Sequence, residues 1–103
     1  MSNPIAVILR FNGEPDDLLC RFEQARKAWI ETQYDGYHPP TFFAICKAED
    51  GIVFVTGWEA EEDHKAFRKQ IMPHLQRAGI GRPKAHEQLG IARLGWDPAP
   101  AGA

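Results

Sequence analysis

Trp58 and His64 are the two side chains whose types and spacing are best suited to chemistry. Trp58 ends an apolar run that begins at Ile52, and His64 follows the acidic stretch 61–63. Histidine exchanges protons near neutral pH, and an indole ring makes an apolar wall for a small molecule. The pair therefore predicts a pocket with a catalytic imidazole. The alternative is structural, with Trp58 closing the end of the core and His64 hydrogen-bonded to a backbone or carboxylate group.

Phe67 extends this candidate site along the same predicted helix. It lies three residues after His64, and residues at that spacing share one face of a helix. We expect both side chains to reach the space between the helices and a sheet. Phe67 would there contact a bound substrate.

Arg10 and Asn12 form a second polar pair near the end of the first predicted strand. They are two residues apart, so their side chains point to the same side of the strand. Arg10 would bind a substrate acid or pair with a glutamate at a subunit interface. Asn12 precedes Gly13, and Asn-Gly is also a common turn sequence.

A loop between the first helix and the second strand carries further candidates for substrate binding, Tyr37 and His38, together with Tyr34. The breakers Asp35-Gly36 and Pro39-Pro40 mark this loop. Functional residues gather on loops, so these side chains would form a lid. The alternative is that they pack the loop onto the domain.

No residue pattern indicates a metal or cofactor site. The sequence lacks paired cysteines, H-x-x-x-H and a glycine-rich phosphate loop, and His74 lies about 80° round the helix from His64. Cys20 and Cys46 are predicted to be free, buried thiols in a reducing compartment.

Charge and composition exclude several functional classes. The chain has 103 residues, 12 basic and 14 acidic side chains and a net charge of −2, which gives no electrostatic basis for binding nucleic acid or a membrane surface. No apolar run approaches the roughly 20 residues of a membrane-spanning helix. Without signal-peptide features at its start, the protein is expected to be cytoplasmic.

The predicted elements form two strand–helix–strand halves in the order β-α-β-β-α-β. Pro15 suits a first helical position, and Glu49-Asp50-Gly51 is a tight-turn signal between the second and third strands. We expect a kink or break at Pro73, which cannot donate a hydrogen bond to the Lys69 carbonyl. The predicted strands cover about 5–11, 41–48, 52–58 and 84–94; the helices cover about 15–34 and 60–78; a loose tail covers 97–103.

The third strand is apolar on both of its faces. Ile52, Phe54 and Thr56 alternate with Val53 and Val55, as successive side chains do on a strand. Right-handed crossovers place both helices on one face of the sheet, with strands one and three in the centre. The other face would expose an apolar patch that soluble monomers rarely show, so we expect a homodimer formed through that sheet face. Such an interface usually buries about 1,600 Å² or more.

This pattern resembles the dimeric α+β barrel superfamily, with its ferredoxin-like fold, and within it the antibiotic-biosynthesis-monooxygenase-like domains. The resemblance covers about residues 4–96, taken as one domain (1–96). Its most recognisable part is the segment 53–67, in which a strand ends in tryptophan and an acidic helix start is followed by His64 and Phe67. The haem-degrading members resemble the chain least, because their asparagine, tryptophan and helix histidine are only partly matched.

The resemblance implies a cofactor-independent monooxygenase or isomerase acting on a small aromatic or polyketide-like compound. His64 would handle protons and Trp58 would wall the pocket. Asn12 resembles an asparagine that some superfamily enzymes use to orient a substrate. The alternative function is a non-catalytic dimeric module that binds a small ligand or has a structural role, because fold alone does not settle function.

Overall fold

A computed structural model describes residues 3–32 and 40–93. The predicted element order is confirmed, while the fourth strand is shorter than predicted. The elements are β1 (Ile5–Asn12), α1 (Pro15–Thr32), β2 (Phe42–Ala48), β3 (Gly51–Trp58), α2 (Glu61–Arg77) and β4 (Ala85–Gly90). The predicted tail lies outside the described residues.

All strand pairs in the sheet are antiparallel, in the order β2-β3-β1-β4. The strands with the strongest apolar character on both faces, β1 and β3, are therefore central, as predicted. Leu9 lies opposite Phe54 on one side and His86 on the other. Because paired residues share a face of the sheet, this register fixes which side chains meet the helices.

Both helices pack on one face of the sheet, as predicted. Trp29 of α1 and Phe67 of α2 meet edge to face with ring centroids 5.2 Å apart, and the Trp29 indole N–H donates to Gln70 Oε1 at 3.2 Å. Phe22 contacts Phe54 of β3 in the same way at 4.2 Å. The main core cluster comprises Phe11, Leu18, Phe22, Ala25, Trp29, Ile52, Phe54, Ile71, Leu75 and Ile80.

One end of each helix is held by a side-chain hydrogen bond. The Glu14 carboxylate accepts hydrogen bonds from the Asp16 and Asp17 backbone N–H groups, which lack helical partners at the start of α1. At the end of α2, Gly79 adopts a φ of +82° and Arg21 Nη1 donates to the Ala78 carbonyl at 3.0 Å. Of the kink or break expected at Pro73, the break is wrong, because α2 continues through this residue to Arg77.

The second face of the sheet has no cover from the residues that the structure describes. Val53 and Val55 are half-buried, and Leu89 is 46% exposed. Cys46 lies on this face and is exposed, and Cys20 on α1 is exposed as well. The prediction that both thiols are buried is therefore wrong for the single chain, because Cys20 faces outward from α1 and nothing within residues 3–32 and 40–93 packs over Cys46.

Candidate active site

A cavity of about 490 Å³ lies between α2 and the sheet, open towards β4. Its walls are mostly apolar, with a few polar side chains among them, which is the usual composition of a small-molecule site. Phe11, Phe54 and Leu9 present their side chains from the sheet because they alternate with residues of the uncovered face. The lining is Leu9, Phe11, Phe22, Phe54, Thr56, His64, Phe67, Arg68, Ile71, Met72, Leu75, Gly81, Arg82, Pro83 and His86.

His64 is a buried wall of this cavity. It lies in the first turns of α2, is 3% exposed, and faces the sheet with Phe67. Burial, the nearby Arg68 charge and His86 lower its pKa from 6.5 to about 4, against a weaker opposing effect of Glu61. The imidazole is therefore neutral at pH 7 and has a lone pair available to accept a proton.

Trp58 does not line the cavity. It is fully buried, and its indole N–H donates to Thr56 Oγ1 at 2.9 Å. Its ring lies edge to face against His64, with centroids 5.6 Å apart, and is tilted against Phe67 at 5.0 Å. Trp58 thus supports two residues of the wall, because a side chain at the end of β3 on the helix face packs beneath the first turns of α2.

His86 is a functional candidate that sequence reasoning missed. It lies on β4 opposite Leu9, and its ring stacks with that of His64 at a centroid distance of 6.4 Å. Arg68 and Arg82 line the same cavity. The only sequence signal for Arg68 was its spacing of four residues from His64, which places two side chains on one helix face.

Arg10 and Asn12 are not brought to this cavity. Both lie on the uncovered face of the sheet, because their positions in β1 alternate with those of Leu9 and Phe11. Both are exposed in the single chain. Phe67 lines the cavity as expected. The predicted loop candidates Tyr37 and His38 lie outside the described residues.

A second cavity of about 240 Å³ lies towards β2. The two cavities share a partition formed by Phe22, Phe54, Thr56, Phe67 and Ile71. Phe43 lines its outer part, with the Arg26 guanidinium 6.0 Å from its ring centroid. The layer between helices and sheet is thus accessible from both sheet edges.

Within residues 3–32 and 40–93, no group of three or more His, Cys, Asp or Glu side chains is arranged to hold a metal ion. In the same part of the chain, neither helix combines the length and the apolar composition needed to cross a membrane.

The architecture matches several solved structures over nearly the whole chain. SnoaB, a cofactor-independent oxygenase from Streptomyces nogalater, aligns with a TM-score of 0.59 at 15% identity, covering 91% of this chain and 97% of that chain. The chain has the antibiotic-biosynthesis-monooxygenase-like fold. A candidate antibiotic biosynthesis monooxygenase from Chloroflexus aurantiacus J-10-fl gives a TM-score of 0.57 at 16% identity, covering 89% and 97% of the two chains.

Rv0793 from Mycobacterium tuberculosis shares this fold as well, with a TM-score of 0.56 at 20% identity and coverage of 93% and 98%. No family model matches the sequence, and no curated protein matches it. At these identities the likeness to the antibiotic-biosynthesis-monooxygenase-like structures establishes the βαββαβ fold. Fold alone does not determine the chemistry, which depends on the residues of this chain.

Proposed function

We propose that the protein is a cofactor-independent monooxygenase or isomerase that acts on a small aromatic compound in the 490 Å³ cavity, with His64 as the general base. The observation that carries this proposal is a buried imidazole, neutral at pH 7, in the wall of an apolar cavity. The fold shared with a cofactor-independent oxygenase supports the reaction class.

His64 would remove a proton from an acidic C–H group of the substrate. The resulting carbanion is electron-rich and can react directly with dioxygen, so that a ring CH₂ becomes C=O and the second oxygen atom leaves as water. In an isomerisation the proton would instead return at another carbon. The apolar lining from Phe54 and Phe67 excludes water and holds the aromatic rings.

Oxygen uptake with a panel of aromatic C–H acids, including an anthrone, tests the oxygenase. The proposal predicts turnover by the unaltered protein, a loss of 100-fold or more in His64→Gln, and little change in His74→Gln. His74 is a matched control because it lies on α2 and lines neither cavity described above. Turnover that survives in His64→Gln would refute the role of the base.

A non-catalytic ligand-binding module is the second candidate function. Among the described residues, Thr56 and His64 are the buried polar side chains, and Thr56 already accepts the Trp58 hydrogen bond. This leaves His64 as the buried polar side chain that can interact with a ligand. One such group is sufficient for ligand binding, and it is the smallest set of groups that could catalyse a reaction. Ligands that bind in the cavity without being turned over would favour this function.

We also propose that the protein is a homodimer joined through the uncovered sheet face. The apolar pattern of Val53, Val55 and Leu89 on that face supports it, as does the α+β barrel architecture that two facing sheets would complete. In the single chain Arg10 and Asn12 are on this face, so their proposed roles in substrate binding and catalysis would have to involve the partner subunit. The cytoplasmic location stays a prediction from the sequence.

Sedimentation equilibrium tests the dimer. We expect a mass of twice the 11.6 kDa chain at micromolar concentration, and a shift towards the single chain in Leu89→Glu. Ile30→Glu is the matched control, because Ile30 is similarly exposed at 39% but lies on α1. A single-chain mass for the unaltered protein would overturn the dimer.

A further inference from the structure

We propose that the cavity takes an aromatic ligand that carries a carboxylate, and that Arg68 and Arg82 bind this group at the cavity mouth. The inference rests on the proposed function only in taking the cavity as the ligand site. It adds the chemical class of the ligand and its orientation, with the acid towards β4 and the rings towards Phe54.

The charge of the lining points to an anion. Among the described residues, Arg68 and Arg82 are the charged side chains of the wall, and no aspartate or glutamate there lines it. The chain as a whole carries 14 acidic against 12 basic residues and a net charge of −2. The cavity is therefore positive in a protein that is slightly negative, and an apolar space with such a rim favours anionic molecules.

Neither arginine is engaged in a salt bridge with a carboxylate of the described residues. The salt bridges there involve Arg21, Arg26, Lys47 and Lys65. Elsewhere on the helices, arginines pair with nearby acids, as Arg21 does with Asp17 at 2.8 Å. The guanidinium donors of Arg68 and Arg82 are therefore not taken by a carboxylate of the described residues and can bind a planar acid.

The backbone at both arginines is held by hydrogen bonds, in α2 for Arg68 and through pairing with β1 for the segment of Arg82. Arg68 lies one turn after His64 on α2, and its charge contributes to the lowered pKa of that imidazole. Arg82 precedes Pro83, and the adjacent Lys84 N–H donates to the Arg10 carbonyl, which anchors the segment to β1. A carboxylate at Arg68 would therefore place the attached ring beside His64.

The guanidinium groups and the apolar lining together favour a ligand with a carboxylate attached to an apolar ring or alkyl group. The guanidinium fork binds a carboxylate through two parallel hydrogen bonds. The deeper wall from Phe22, Phe54 and Ile71 has no donors for a polar body and accepts rings or alkyl groups.

Isothermal titration of 2-naphthoate and its neutral isostere 2-naphthamide tests the inference without any turnover. We expect the unaltered protein to bind the acid at least about tenfold more tightly than the amide, as charge-assisted hydrogen bonds are stronger than neutral ones. Arg68→Gln and Arg82→Gln should each reduce this preference, and the double variant should abolish it. Affinity for the amide should change less than twofold.

Arg77→Gln is the matched control, since Arg77 ends α2 and does not line the cavity. It should keep the full preference for the acid. Equal binding of acid and amide, absence of binding of both at millimolar concentration, or a preference that survives in the double variant would overturn the inference. A preference for the acid together with no turnover of any compound would instead refute only the proposed enzyme, so the two failures are distinguishable.

Discussion

The indole of Trp58 packs edge to face against the imidazole of His64, with ring centroids 5.6 Å apart and planes at 60°. Trp58 is fully buried, and its N–H donates to Thr56 Oγ1. His64, by contrast, forms part of the cavity wall. The tryptophan is thus a positioning residue that fixes the ring of the candidate base, and a substrate would contact His64 without touching Trp58.

This relationship predicts the effect of Trp58→Phe. The variant keeps an aromatic ring but loses volume and the hydrogen bond to Thr56, so we expect a loss of about 1–3 kcal/mol in the free energy of unfolding. Urea denaturation checks this. Binding of 2-naphthoate should weaken less than threefold, since the ligand does not contact Trp58. A large loss of binding with unchanged stability would contradict this placement of Trp58.

The burial of His64 predicts a pH-dependent stability. Its pKa is about 4 in the folded protein and 6.5 as the ordinary value, so the unfolded chain binds more protons between these pH values. The contribution of neutral His64 to the free energy of unfolding is therefore fully present above pH 6.5 and is lost as the pH falls towards 4. The loss is at most on the order of 3 kcal/mol.

Urea midpoints measured from pH 7 to pH 4 for the unaltered protein and for His64→Gln isolate this contribution, because every other titrating group is common to both. The stability advantage of the unaltered protein over the variant should shrink as the pH falls. A difference that stays constant across this range would show that His64 is not held neutral by the fold.

The helix terminus at Gly79 predicts a local stability effect. Gly79 has a φ of +82°, and an added Cβ would also meet the Arg21 guanidinium. Gly79→Ala should therefore destabilise the protein by about 1–2 kcal/mol in thermal or urea unfolding. Gly90→Ala is the matched control, because Gly90 has no positive φ and nothing within 4 Å of its added Cβ. Equal losses of stability in the two variants would contradict this role of Gly79 at the end of α2.

Thiol reactivity tests the sheet face as the dimer interface. Cys46 lies on the uncovered face and Cys20 on α1, and both are exposed in the single chain. In the proposed homodimer, Cys46 should react with Ellman's reagent at least about tenfold more slowly than Cys20, with Cys20→Ser and Cys46→Ser assigning the two phases. Leu89→Glu should restore fast reaction of Cys46. Equal rates in the unaltered protein would argue against this interface.

Local patterns in the sequence were sufficient to predict most of the fold. Alternation in β3 gave its two apolar faces, and the short spacing from Trp58 to His64 placed them together at the start of α2. The roles of Trp58 and His64 were harder to predict. Whether Trp58 lines the cavity or supports it depends on the packing of α2 over the sheet, which no short pattern encodes.

The placement of His86 and Arg10 depends on long-range strand pairing, so short sequence patterns did not predict it. Every position of β4 is exposed, so no burial pattern identifies which of its side chains face the helices. His86 reaches the cavity because hydrogen bonding to β1 sets it opposite Leu9. The same register places Arg10 on the far face, where sequence spacing alone could not distinguish cavity from interface.

In the proposed reaction, His64 accepts a proton from a ligand held in the cavity. Deuterium exchange at an acidic C–H of an anthrone carboxylate, followed by NMR in D₂O under argon, measures this step without dioxygen. We predict exchange that is catalysed by the unaltered protein and by His74→Gln and is slowed at least 100-fold in His64→Gln. Equal exchange rates in the unaltered protein and in His64→Gln would contradict the role of His64 as the base.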